Sequence, residues 1–318
     1  MNYRRVGKSG LKVSEIAIGA WLTYGGTVAA KDTSAIITAA VDSGINFIDL
    51  ADIYTKGKAE EVVGKAIKDM KRSDLVISSK VFWPMSDNIN DRGLSRKHIM
   101  ESIDSSLRRL GTDYLDIYFC HRLDPETEVE ETVRAMDDLV RMGKILYWGT
   151  SVWTAALIER AVGIARDLRG YGPIVEQPRY NMLDRHIELD IMPSCAKHGI
   201  GLTVWSPLAQ GFLTGKYNEG IPEDSRGGTT EWLKGDLNEA NIVKARKLSE
   251  IAKGLGISLS QLALAWILRR PEISCAITGA TKVEQLEHNV MASQTKLSDD
   301  TLREIENILD NRPRNWSF

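Results

Sequence analysis

The chain has 318 residues, 43% hydrophobic and 26% charged, with a formal net charge of -2; that is the balance of an ordinary globular chain, and with no acidic or basic run it argues against nucleic acid or an anionic membrane as the main partner. Cys120, Cys195 and Cys275 are odd in number and far apart, so buried thiols in a reducing, cytoplasmic compartment are expected and a disulfide framework or cysteine zinc site is not. No segment approaches ~18 consecutive apolar residues, so no membrane insertion is expected.

Strand-like and helix-like segments alternate almost end to end. Tyr3 to Ser14, centred on Lys8-Ser9-Gly10, reads as a β-hairpin. A strand from Glu15 to Trp21 follows, then a helix from Asp32 to Ser43 with Ile36, Ile37, Ala40 and Val41 on one face. Next come Ile45 to Asp49 as a strand and about Lys58 to Asp69 as a helix. Leu75 to Lys80 is a strand, followed by a helix from Ser95, a good N-cap, to Leu110, with Gly111 as its stop. Tyr114 to His121 is a strand before a helix from Glu126 to Met142, closed by Gly143.

The rhythm repeats. Ile145 to Ser151 is a strand, Ala155 to Leu168 a helix, Ile174 to Gln177 a strand, and Leu189 to His198 a helix. Leu202 to Trp205 is a strand, followed by a polar stretch, Gln210 to Gly235, too long for an ordinary connection and so expected to be a functional loop. Helices from Glu239 to Leu255 and Leu259 to Leu268, a strand from Ile273 to Ile277, and helices from Lys282 to Ala292 and Asp299 to Leu309 complete the chain.

That count gives eight β/α units. Continuously apolar strands with helical crossovers imply a parallel sheet covered by helices. Eight units fit a closed (β/α)8 TIM barrel, here with an N-terminal β-hairpin and additional C-terminal helices, and no linker-like stretch divides 1–318 into more than one domain. Active sites of such barrels lie at the C-terminal ends of the strands. Asp49, Tyr54, Lys80 and His121 all stand at or just past strand ends, so they are expected to converge on one rim. Singly, each has a packing reading; together a carboxylate, a phenol, an ammonium and an imidazole make a general-acid site.

These residues resemble the aldo-keto reductases. The resemblance spans nearly the whole chain and is carried by Gly44-Ile45-Asn46-Phe47-Ile48-Asp49 with Tyr54, Gly93-Leu94-Ser95-Arg96-Lys97-His98-Ile99, Glu130 to Met136, Trp205-Ser206-Pro207-Leu208-Ala209 with Gly215-Lys216-Tyr217, and Gly279-Ala280-Thr281 with Glu284-Gln285-Leu286 and Asn289. It is nearest in kind to the branch of voltage-gated potassium channel β-subunits and their microbial relatives. The resemblance implies NADP(H) laid across the barrel rim without a Rossmann domain. Gly199-Ile200-Gly201 and Gly254-Leu255-Gly256 agree, since each lacks the third glycine of a dinucleotide fingerprint. Gly211 to Tyr217 falls one residue short of a P-loop.

By the same resemblance Tyr54 is the proton donor, Lys80 lowers its pKa from about 10, Asp49 holds Lys80, and His121 orients the substrate oxygen. The channel branch commonly carries asparagine at the position of His121. Trp205 would stack on the nicotinamide, with Trp21 and Asp49 beside it; Ser151 and Gln177 would bond its carboxamide. Ser206, Pro207 and Leu208 would meet the pyrophosphate, and Lys216 and Arg226 the adenosine-side phosphates. Gly279, Thr281, Gln285 and Asn289 would surround a 2′-phosphate at a helix N-terminus; many members use Lys and Arg there, where this chain has Gly279 and Gln285. Trp21, Trp83 and Trp153, with Tyr54 and His121, would wall an apolar substrate pocket. The remaining histidines make no metal-ligand spacing, so no metal is expected. The resulting expectation is an NADPH-dependent reductase of aldehydes or ketones, with a cofactor-binding regulatory subunit as the alternative, and homotetramers by resemblance.

Overall fold

The computed structural model describes residues 1–21, 24–26, 29–220 and 237–314. A hairpin of β1 (Tyr3–Arg5) and β2 (Lys12–Ser14) precedes eight parallel strands: β3 (Ile16–Gly19), β4 (Phe47–Asp49), β5 (Val76–Val81), β6 (Leu115–Cys120), β7 (Ile145–Thr150), β8 (Val175–Glu176), β9 (Gly201–Val204) and β10 (Ile273–Thr278). β10 bonds both β9 and β3, which closes the barrel. The helices are α1 (Ala30–Asp42), α2 (Lys58–Ile67), α3 (Arg96–Leu110), α4 (Val129–Arg141), α5 (Ala155–Asp167), α6 (Ile191–His198), α7 (Glu239–Gly254), α8 (Leu259–Leu268), α9 (Val283–Val290) and α10 (Asp299–Leu309). No single described helix is long and apolar enough to cross a membrane.

The alternation of side chains along each strand decides where the chemistry falls. Ile48, Ile77, Tyr118 and Cys120 point outward into a core shared with the helices. Phe47, Val76, Ile117 and Phe119 point inward, where Val6 and Val13 of the hairpin join them from below. Carrying the inward register toward the strand ends places Asp49, Ser78, Lys80 and His121 inside the barrel mouth. The hairpin seals the opposite end: Gly7, at φ +57, lies so close to the start of β9 that a Cβ would stand 2.1 Å from the Gly199 carbonyl oxygen. Only glycine fits there.

The expected elements all form, with shifts of a few residues at their ends. α3 has the expected caps: Ser95 accepts from the His98 amide, and Gly111 is left-handed. α4 starts at Val129 instead of Glu126, because Asp124 ties the intervening residues into a turn. Its carboxylate accepts from the Glu126 amide at 3.0 Å and the Thr127 hydroxyl at 2.7 Å. β4 starts at Phe47, and Asn46 before it ties the strand to the hairpin, its side chain accepting from the Ser14 amide at 2.8 Å and its own amide donating to Ser14 Oγ at 3.2 Å.

Candidate active site

Three strand ends and one turn bring the quartet together. Lys80, 0% exposed, donates from Nζ to Asp49 Oδ2 at 2.7 Å, to the Leu50 carbonyl at 2.5 Å and to the Tyr54 hydroxyl at 3.3 Å. Asp49 is held in turn by Ser78 Oγ at 2.7 Å and Gln177 Nε2 at 3.0 Å, both onto Oδ1. His121 sets the edge of its ring against Tyr54, with centroids 5.9 Å apart, and its buried Nδ1 has no hydrogen-bond partner among the described residues. Tyr54 sits in a tight turn whose next two residues, Thr55 and Lys56, are left-handed at φ 49 and 51. For a β-branched residue that is strained.

Asp52, which the sequence reading did not single out, helps to hold that turn. It accepts from the Ile53 amide at 2.6 Å and the Ser102 hydroxyl at 3.0 Å, and its own amide donates to the Lys80 carbonyl at 3.3 Å. Burial, reinforced by Glu60, pushes its carboxyl up to about 8. A carboxylate in the apolar run Leu50-Ala51-Asp52-Ile53 was the available signal.

Electrostatics assign protonation states. Burial, the largest single influence, would depress Lys80, but Asp49 and Tyr54, through charge and hydrogen bonds together, outweigh it and hold the ammonium above its ordinary range. Tyr54 corrects the expectation of a lowered pKa: burial outweighs the attraction of Lys80, and the phenol is raised. The ring is a neutral proton donor at neutral pH. Burial, then the charges of Lys80 and Arg122, holds His121 well below the usual imidazole range, so it is a neutral ring with a free nitrogen.

The other half of the rim carries the residues expected to hold a cofactor. Ser151 Oγ donates to the Gln177 carbonyl at 2.9 Å; Gln177 Nε2 is on Asp49, and its Oε1 accepts no bond among the described residues. Beneath them Glu176 accepts from the Thr150 hydroxyl and the Val152 and Trp153 amides, and burial pushes it up to about 7. After β9, half-buried Trp205 leads into a turn in which Ser206, Ala209, Gln210 and Gly211 have φ of 54, 45, 56 and 98. The turn closes on itself, with the Ala209 amide donating to the Ser206 carbonyl at 3.0 Å and the Gly211 and Leu213 amides to the Leu208 carbonyl at 2.9 and 3.1 Å. Pro207 is buried and Leu208 half-buried within it, and exposed Lys216 lies with Nζ 5.0 Å from the Tyr217 ring centroid. Arg226 lies outside the described residues. At β10, Gly279 is exposed and Asn289 is buried, and Gln285 Oε1 accepts from the Thr281 amide at 2.9 Å and hydroxyl at 3.1 Å. Gln285 thus holds Thr281 ahead of the helix, whose N-cap residue, Lys282, makes no side-chain cap.

Comparison with protein-family models matches residues 15–310 to the aldo/keto reductase family. The chain belongs to the aldo/keto reductase family. It is similar to a probable voltage-gated potassium channel subunit beta of Arabidopsis thaliana, 46% identical over 99% of this chain and 98% of that protein. A probable subunit beta of Oryza sativa subsp. japonica is 44% identical over the same shares. A putative subunit beta of Schizosaccharomyces pombe is 46% identical over 98% of this chain and 94% of the relative.

The aromatic residues expected to wall the pocket of this aldo/keto reductase are not equivalent. Trp83 is 38% exposed and stands edge-on to His121, with ring centroids 6.3 Å apart. Trp21 is half-buried at the end of β3. Trp153 departs from the expectation: it is 1% exposed and packs in the core, and its amide donates to Glu176 at 3.3 Å.

Proposed function

We propose that the chain works as a single barrel domain that reduces aldehydes or ketones with NADPH as the hydride source. The observation that carries this is the position of Lys80 Nζ, 2.7 Å from Asp49 and 3.3 Å from the Tyr54 hydroxyl. A bound nicotinamide would supply a hydride to the carbonyl carbon. The side chains handle the proton. The neutral His121 ring donates a hydrogen bond to the carbonyl oxygen from Nε2, the nitrogen that is not sealed in the interior, and aims it. Tyr54 then gives its proton to that oxygen, which is far more basic as an alkoxide than the phenolate it leaves, so a raised tyrosine pKa does not stop the transfer. Lys80 stabilises the phenolate, and Asp49 keeps Lys80 charged. Gln177, with Oε1 open, and Ser151 would meet the carboxamide. The left-handed turn from Ser206 to Gly211 would hold the pyrophosphate, and Lys216 and Arg226 the outer phosphates. Gly279, Thr281, Gln285 and Asn289 would stand near a 2′-phosphate.

The test is NADPH consumption with a panel of aldehydes and ketones, native protein against Tyr54→Phe. Removing a general acid costs about 10²- to 10⁴-fold. Turnover lost in Tyr54→Phe while NADPH still binds supports the reading; turnover unchanged in Tyr54→Phe refutes it.

A second reading is favoured by the relatives, which are named as potassium channel β-subunits: a potassium channel subunit, which by the family resemblance would be cytoplasmic, homotetrameric and cofactor-holding, with slow turnover or none. Tight NADPH binding, negligible turnover on every carbonyl and co-purification with a channel would support it. His121, where the channel branch commonly carries asparagine, favours the working reductase.

A further inference from the structure

One cation at the mouth of the site has no task in the chemistry above. β5 and β6 pair in parallel with Val81 opposite Cys120, so the residues two places beyond each end, Trp83 and Arg122, are neighbours on the rim. The Arg122 guanidinium stands 5.8 Å from the Trp83 ring centroid, and Trp83 in turn faces His121. Arg122 Nη1 donates to the His121 carbonyl at 2.5 Å, which fixes one prong of a five-donor fork. Its charge is felt at the reacting groups, where it lowers both Tyr54 and His121.

Arg122 is half-buried, and among the described residues no carboxylate stands within ion-pair distance of it. The one carboxyl that acts on it, Glu176, is already engaged by Thr150, Val152 and Trp153. Partial burial of an arginine without a counter-charge is costly, and its planar fork matches carboxylate and phosphate geometry. The sequence signal was there, as an arginine directly after the strand-end histidine, but a lone cation beside a motif says nothing of its partners.

We propose that Arg122 is an anion subsite beside the carbonyl site, so that the preferred substrates are small aldehydes or ketones bearing a carboxylate or phosphate. This rests on the reductase reading of the same site. The anion completes the ion pair that the fold leaves open, and the open face of Trp83 covers the carbon chain between the anion and the carbonyl.

The test compares matched pairs with NADPH: succinic semialdehyde against its methyl ester, and glycolaldehyde phosphate against glycolaldehyde. Native protein, Arg122→Leu and Arg122→Lys are measured on each. The expected native kcat/KM favours the anionic member of at least one pair by about 10- to 100-fold, chiefly through KM, as charged hydrogen bonds of this kind do. The pair that responds tells carboxylate from phosphate. The ratio falls toward one in Arg122→Leu and recovers in part in Arg122→Lys. A native ratio near one in both pairs overturns the proposal, as does a ratio that survives in Arg122→Leu, or a loss of NADPH affinity in Arg122→Leu in place of the lost preference. Absence of turnover on every carbonyl would sink the reductase reading by itself. The subsite is then decided by calorimetry of butyrate and methyl phosphate on the NADPH-loaded protein: binding that Arg122→Leu removes supports it, and no binding to the native protein refutes it.

Discussion

The ends of β4, β5 and β6 and the ends of β9 and β10 share one rim but are built differently. In the first region Asp49, Lys80 and His121 are buried, and a chain of short contacts runs from Gln177 and Ser78 through Asp49 to Lys80 and Tyr54. In the second, Lys216, Thr281 and Gln285 are exposed, and the polar groups of Thr281 and Gln285 satisfy each other. The proton-handling groups are thus set before any ligand arrives, as a preorganised electrostatic site requires. On the proposed function, the groups of the second region must exchange partners to bind a phosphate.

The sharpest way to break that contrast is Lys80→Met. If the first region is one preorganised unit, turnover falls by about 10²- to 10⁴-fold. Stability falls too, by about 3–5 kcal/mol, because Asp49 is left buried without its counter-charge. Urea unfolding beside kinetics separates the two effects. The double variant Asp49→Asn with Lys80→Met regains most of the stability and none of the activity. Full activity in Lys80→Met would reduce the buried pair to structural ballast.

Glu176 shows that the preorganised layer extends beneath the nicotinamide side of the rim. The folded protein keeps a proton on this carboxyl up to about 7, whereas the unfolded chain releases it near the ordinary 4.5. The stabilisation is therefore complete below about 4.5 and is lost as pH rises through about 7. A shift of that size is worth about 3 kcal/mol. Unfolding of Glu176→Gln across this range should lose the share of the slope that Glu176 contributes and leave that of Asp52, whose carboxyl is also raised, to about 8. An unchanged slope would mean that Glu176 ionises freely and that the turn bearing Ser151 is held by something else.

His121→Asn probes the contact between the neutral ring and the substrate. Because burial, Lys80 and Arg122 keep the imidazole uncharged, native kcat/KM should run flat between about pH 6 and 8, where an ordinary histidine titrates. Asparagine also donates, so the variant should retain turnover within about tenfold. An inflection near the usual histidine range that vanishes in His121→Asn would show that the ring does charge.

The same contrast explains what could be read from sequence. The ends of apolar runs are local signals, so the rim positions of Asp49, Lys80 and His121 followed from where those runs stop, and the eight-unit barrel followed from their rhythm; that the three face inward comes from the strand register. The direction of the Tyr54 pKa did not, because it balances burial by the whole mouth against one ammonium. Thr55 and Lys56 are left-handed where propensity would forbid it, held by tertiary contacts such as Thr55 Oγ1 on the Tyr24 carbonyl at 3.3 Å. Arg122 was invisible as a site because its lack of an acidic partner belongs to the fold and not to the string. Gln285 was legible as a residue near a helix start, but not as the group that holds Thr281.

Gln285→Ala is the mildest of these changes and tests the exposed half alone. In the free protein Gln285 Oε1 accepts both Thr281 groups, and an acceptor oxygen repels a phosphate. To serve the 2′-phosphate, the side chain must turn and present its NH₂, releasing the Thr281 amide to the same anion. Truncation frees Thr281 but removes the amide donor. The net expected effect is an NADPH dissociation constant raised about 3- to 10-fold, the value of one hydrogen bond to a charged group less the Thr281 bonds already broken. NADH, without that phosphate, should be unaffected. Fluorescence titration of both cofactors gives the ratio directly. A ratio that shifts toward NADPH would mean that Gln285 only closes its own helix and competes with the ligand, and the preorganised character of the first region would then end before β10.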